Sequence, residues 1–123
     1  MTALTRLTAL ELSEAIHRRS VSCVEVMDAF LERINELNPD LNALVGLMTP
    51  EACSAMAREA DKQLARGNRS GWLHGIPIAI KDLFNAKGFV TAFGSPLLSS
   101  VAAQQDEPHV ARLRAAGALI IAK

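Results

Sequence analysis

Two short apolar runs constrain this chain more than anything else in it. GIPIAIKD (75–82) carries three isoleucines between a glycine and an aspartate, and GALIIAK (117–123) repeats the pattern. Runs of this length, bounded by turn formers, read as strands buried on both faces. Between them, Asp106, Glu107 and Pro108 open a helical segment in which Val110, Leu113 and Ala116 share one side and Gly117 is the stop. Strand, helix, strand is the parallel βαβ unit, right-handed by default, and it places the chain in the α/β class. A buried parallel strand needs neighbours and cover on both faces. One crossover unit cannot supply them, so the 123 residues are expected to be the N-terminal portion of one larger domain. That portion has a helical region at about 1–70 and the βαβ unit at about 73–123.

The helical region announces itself by its caps. Thr8 and Glu11 form a capping box, with Leu7 and Leu12 as the hydrophobic staple, and Leu12, Ala15 and Ile16 then share an apolar face. Ser22 and Glu25 repeat the box, flanked by Val21 and Val26. Met27, Phe30, Ile34 and Leu37 follow as a stripe, and Asn38-Pro39 is expected to end the helix. Leu41, Ala43 and Val45 alternate as a short strand or extended segment. Thr49 caps a third helix with Pro50 at its first position; Cys53, Met56, Ala57, Ala60 and Leu64 form its apolar face, and Gly67 is its stop. In the first strand, alternation puts Ile76, Ile78 and Ile80 on one face and Pro77, Ala79 and Lys81 on the other. Residues 83–105 have no clear period; a connection that long is functional or hides short elements.

Composition narrows the function classes. Hydrophobic residues make up 50% and charged residues 21%, which is a globular balance. Thirteen basic residues match 13 acidic ones, so no net charge draws the chain to nucleic acid or an anionic membrane. With one Trp and no Tyr, there is no aromatic platform for single-stranded bases. No apolar run approaches the roughly 18 residues of a membrane span, and the N-terminal MTALTRLTALELSEA reads as a helix start, not a secretion signal. Cys23 and Cys53 have no metal-type spacing and read as buried free thiols. The expected location is the cytoplasm.

Lys81 is the residue with most to say about chemistry. It ends an apolar strand, and in open α/β sheets ligands bind beyond the carboxyl ends of strands. A desolvated amine there, with Asp82 pointing to the opposite face, can act as a general base. The plainer alternative is a solvated lysine leaving the strand next to a turn-forming aspartate. His17, His74 and His109 match no zinc spacing and read as structural. Ser70, Ser95, Ser99 and Ser100 lie in no nucleophile elbow, and Ser95 in FGSP reads as a turn residue. No glycine-rich phosphate loop is present in the sequence.

Taken in order, LHGIPIAIKD (73–82), TAFGSP (91–96), the D-x-x-H-V-A-R-L-R-A-A-G-A segment (106–118) and LIIAK resemble the amidase signature family. Residues 11–45 and 51–61 resemble that family's opening helices. The resemblance implies N-terminal helices packed on the beginning of a mixed, largely parallel sheet. It implies amide hydrolysis by a Ser, a second Ser after a cis peptide bond, and a Lys, with no metal or organic cofactor. Lys81 would be that Lys: it would take a proton through the bridging Ser, the nucleophilic Ser would attack the amide carbonyl, and an acyl-enzyme would form. Both serines belong to a Gly/Ser-rich segment that comes later in the family, so these residues alone are expected to be inactive. The implied partner is a small-molecule amide, with a possible homo-oligomer, no membrane and no nucleic acid. An amidotransferase subunit supplying ammonia for tRNA-dependent amidation is the related alternative, and there alone tRNA enters. A non-catalytic remnant or interaction module is the rival of another class.

Overall fold

The computed structural model describes residues 3–98 and 100–123; Met1, Thr2 and Ser99 lie outside them. A 3-10 turn at Ala3–Arg6 leads into α1 (Ala9–His17), α2 (Cys23–Leu41) and α3 (Pro50–Ala65). Then come β1 (Pro77–Ala79), α4 (Pro108–Ala115) and β2 (Leu119–Ala122). The fold is mixed α/β, and β1 pairs with β2 in parallel.

Both capping boxes form as the sequence predicts. Thr8 Oγ1 accepts from the Glu11 amide at 3.2 Å, and Ser22 Oγ accepts from the Glu25 amide at 3.1 Å; each glutamate returns a bond to the cap's own amide at 2.8 Å. The start of α2 has a second cap that no local pattern announces. Asp61, on α3, accepts from the amides of Cys23 at 2.7 Å and Val24 at 3.2 Å. All four orphan amides of that helix end are thus satisfied, those of Ser22 and Glu25 within the capping box and those of Cys23 and Val24 by a neighbouring helix.

Two expectations are corrected. The first concerns the end of α2, which does not stop at Asn38-Pro39 but runs on to Leu41 with Pro39 inside it; Asn42 closes it in the left-handed region at φ 47°. A proline there costs the helix one amide bond and crowds the carbonyl four residues back. Asn38 offsets the loss by clasping Leu44, accepting from its amide at 2.9 Å and donating to its carbonyl at 3.0 Å. The second concerns the first strand, where only Pro77–Ala79 of 75–82 pair as strand, and the register slips between Ile78 and Ala79. The three isoleucines therefore do not share a face. Ile76 packs in the larger core, Ile80 in the smaller one, and Ile78 touches both.

The larger core lies between the helices and one face of the sheet, with Ile16, Val26, Met27, Cys53, Ala57 and Ile121 at its centre. Full burial of an Ile or Met side chain contributes about 1.5–3 kcal/mol, and small Ala57 and Ala60 let α3 sit close to α2. The smaller core, on the other face, is Ile80, Ala86, Phe89, Val110 and Ile120. Residues 42–49 run along the free side of β2: Val45 and Lys123 exchange backbone bonds at 2.8 Å, and Met48 donates to Ile121 at 2.8 Å. The expected extended segment at Leu41, Ala43 and Val45 is corrected at its start, where Leu41 ends α2 and Asn42 is left-handed; Val45 and Met48 bond along β2 without forming a named strand. Within 83–105 the long connection hides a short antiparallel bridge between Val90 and Ala102.

Candidate active site

Parallel strands bring the carboxyl ends of β1 and β2 side by side, and Lys81 lies just past the first of these. Its position is held from both sides. The Ile80 amide donates to Ala122 O at 3.1 Å, which ties the residue before it to β2. The Lys81 carbonyl accepts from the amides of Leu83 at 2.7 Å and Phe84 at 3.1 Å, closing a tight turn. The side chain is exposed, on the same open side as exposed Ala79. Among the described residues nothing covers Lys81 or Ala79, so the dry surroundings expected for the amine are not built from them. Among the described residues no acidic side chain pairs with Lys81.

Asp82 turns inward. Its carboxylate accepts from the amides of Ala92 at 3.1 Å and Gly94 at 3.4 Å, and Lys123 Nζ stands 3.4 Å from its Oδ1. Removal from water pushes this carboxyl up, but the two amide donors and the Lys123 ammonium together outweigh that, and its pKa lies below the ordinary value. Lys123 is the least expected participant. Its side chain is only 1% exposed, and Nζ also donates to Thr91 Oγ1 at 3.0 Å. Thr91, itself buried, donates in turn to Asn85 Oδ1 at 2.9 Å. The turn after β1, the TAFGSP segment and the end of β2 are thereby knotted through one buried ammonium. Sequence reasoning missed Lys123 and Thr91. The available signal was a lysine closing the apolar run LIIAK, in the same place as Lys81 closing IAIK.

The other sequence candidates lie apart from this point. His74 is buried near the opposite end of the strands, accepting from the Ser70 amide at 3.2 Å and facing Ala60 O at 2.9 Å. An amide only donates and a carbonyl only accepts, so the ring carries its proton on Nε2. His17 Nδ1 lies 3.2 Å from Ser13 Oγ, and burial followed by Arg69 lowers its pKa. His109 stacks edge-on against Phe84. Ser95 takes the turn role read for it, accepting from the Leu97 amide at 3.2 Å. Both cysteines are free and buried; loss of solvent, then Asp61, pushes the Cys23 thiol up to about 12. Among the described residues no three His, Cys, Asp or Glu gather as a metal site. A cavity of about 360 Å³, lined by His74, Gln63, Arg114 and others, opens where the strands begin, away from Lys81.

Known proteins resemble this chain in sequence and fold. The family described as Amidase matches residues 25–123. The chain belongs to the amidase family. A glutamyl-tRNA(Gln) amidotransferase subunit of Methylococcus capsulatus is 45% identical over 118 residues, covering 96% of this chain and 24% of that protein. A putative amidase, AmiD, of Mycobacterium tuberculosis is 40% identical over 121 residues, covering 98% of this chain and 25% of that protein. The crystal structure of the peptide amidase of Stenotrophomonas maltophilia superposes with a TM-score of 0.87 at 31% identity, over 98% of this chain and 25% of that one. The amidase fold is therefore shared, and the chain spans about a quarter of the length of the relatives it matches. No described helix is long and apolar enough to cross a membrane.

Proposed function

We propose that these residues form the lysine-bearing part of an enzyme that hydrolyses a carboxamide C–N bond, with Lys81 as the proton acceptor. The observation that carries the reading is the Lys81 amine at the carboxyl end of a parallel strand, with the adjacent carboxylate already engaged by Lys123. With no carboxylate clasping it, the Lys81 amine is left able to turn toward a serine. In the Ser–cis-Ser–Lys scheme, Lys81 draws a proton through a bridging serine from the nucleophilic serine, which adds to the amide carbonyl. The C–N bond then breaks, the nitrogen takes a proton and leaves as ammonia or an amine, and water releases the acyl group. Neither serine is assigned within residues 1–123, so a small-molecule amide substrate meets a complete site only with further chain. Two free buried thiols are in keeping with a reducing compartment, and the cytoplasm is the location proposed.

A Lys81→Ala variant, made in the polypeptide expressed with whatever its reading frame encodes beyond codon 123, is the test. It is expected to lose kcat on a simple carboxamide by about a hundredfold or more, with its circular dichroism unchanged; undiminished turnover refutes the role. A second reading is favoured by the 45% identity to an amidotransferase component. Ammonia release from glutamine that appears only with added partner subunits would select it over free-standing hydrolysis.

A further inference from the structure

The most buried charged side chain among the described residues has no part in the proton path proposed for Lys81. Lys123 is held at 1% side-chain exposure, and a buried ammonium is tolerated only when paired and hydrogen-bonded. Its partners, Asp82 and Thr91, both belong to the segment that follows Lys81. Lys81 thus sits between two ties to the end of β2. One is the backbone bond from Ile80 to Ala122, and the other is the ion pair from Asp82 to Lys123. Resting on the reading of Lys81 given above, we infer that Lys123 is a positioning residue for Lys81. It keeps the Asp82 carboxylate turned inward and away from the Lys81 amine, and it holds the 82–94 segment against β2.

The physical reason is competition for one anion. Lys81 and Asp82 are adjacent in the chain, and an aspartate freed from its partner has an exposed ammonium next door. Pairing with it would turn the Lys81 amine toward Asp82, away from a serine. Two backbone amides, from Ala92 and Gly94, also hold Asp82, but they carry no full charge to match the carboxylate. Lys123 supplies that charge from a side where it cannot itself be wetted. The inference involves no contact between Lys123 and substrate.

The test uses the same extended polypeptide and four variants: Lys81→Ala, Lys123→Met, Lys123→Arg, and Lys123→Met combined with Asp82→Asn. Lys123→Met is expected to lower kcat by about ten- to a hundredfold while KM moves little, the size seen when a reacting group is displaced by about an ångström. Lys123→Arg keeps the charge and is expected to recover part of the loss. The double variant removes the competing carboxylate as well and is expected to recover most of it. A purely structural Lys123 predicts instead that kcat per folded molecule, with the folded fraction read by circular dichroism, is unchanged in Lys123→Met, and that only stability is lost there and recovered in the double variant. Should Lys123→Met fail to fold, the double variant, which buries no unpaired charge, still carries the comparison with the parent. A double variant as inactive as Lys123→Met, or an unaffected Lys123→Met, overturns the inference. If Lys81→Ala retains turnover, the assignment of Lys81 fails instead, and the two failures are separable.

Discussion

Gly75, which leads into β1, gives the sharpest test of how the strand is seated. Its φ is +80°, a region in which a side chain strains the backbone, and an added Cβ would fall inside the van der Waals surface of Cys23 Sγ and 3.0 Å from Cys23 Cβ. The thiol cannot retreat. Cys23 is fully buried in the first turn of α2, and Asp61 holds its amide at 2.7 Å. Gly75→Ala is therefore expected to cost about 1–2 kcal/mol for the left-handed backbone and about 1–3 kcal/mol for overpacking, together about 2–5 kcal/mol. Cys23→Ala alone should cost only about 1 kcal/mol, for a small cavity. In the double variant the sulfur is gone and the overpacking relaxes, while the backbone strain stays. The two substitutions should then be coupled favourably by about 1–3 kcal/mol. Equilibrium urea unfolding followed by circular dichroism reads all four corners of this cycle. Additive losses, or a Gly75→Ala variant within about 0.5 kcal/mol of the parent, would refute the close approach of β1 to α2. Gly117→Ala offers a contrast: its added Cβ meets backbone, 2.6 Å from His74 Cα, so no side-chain truncation should relieve it.

Two further outcomes follow from the charges. Asp61→Ala removes the cap on the Cys23 and Val24 amides and should destabilise the protein by about 1–3 kcal/mol in the same unfolding assay; it should also bring the Cys23 thiol down from about 12, read by thiolate absorbance, because only loss of solvent then remains to raise it. Asp82 and Asp106 have pKa values held below the ordinary carboxylate value; each is raised by desolvation, which is outweighed at Asp82 by Ala92, Gly94 and Lys123, and at Asp106 by Lys87 and Arg114. A depressed folded pKa contributes stability that is present above the unfolded value, about 3.9, and is lost as pH falls through the folded one. Acid should therefore release the 82–106 segment below about pH 4, seen as accelerated amide exchange at Ala92, Gly94 and Lys87; unchanged protection there at lower pH would contradict these bonds.

What was readable in advance is what depends on near neighbours. Thr8, Ser22 and Thr49 start their helices where the pattern places them, since a cap is a bond between residues three apart. The parallel pairing of β1 with β2 was legible from two apolar runs and a helix between them. The extent of β1 was not, because strand residues are defined by a partner, and the slip between Ile78 and Ala79 depends on how β2 docks. Pro39 misled for a similar reason: the clasp of Asn38 on Leu44 offsets the penalty that the dipeptide alone suggests.

The candidate site divides along the same line. Sequence alone singled out Lys81, from its place at the end of an apolar strand and from the motif around it, and with it the amidase family. Only the folded chain revealed that the anion beside Lys81 belongs to Lys123, at 3.4 Å, and that Thr91 and Asn85 complete the chain of bonds. Spacing along the backbone determines which face a side chain leaves from. Which charge it then meets is settled by Coulomb attraction and desolvation between segments that the fold alone brings together.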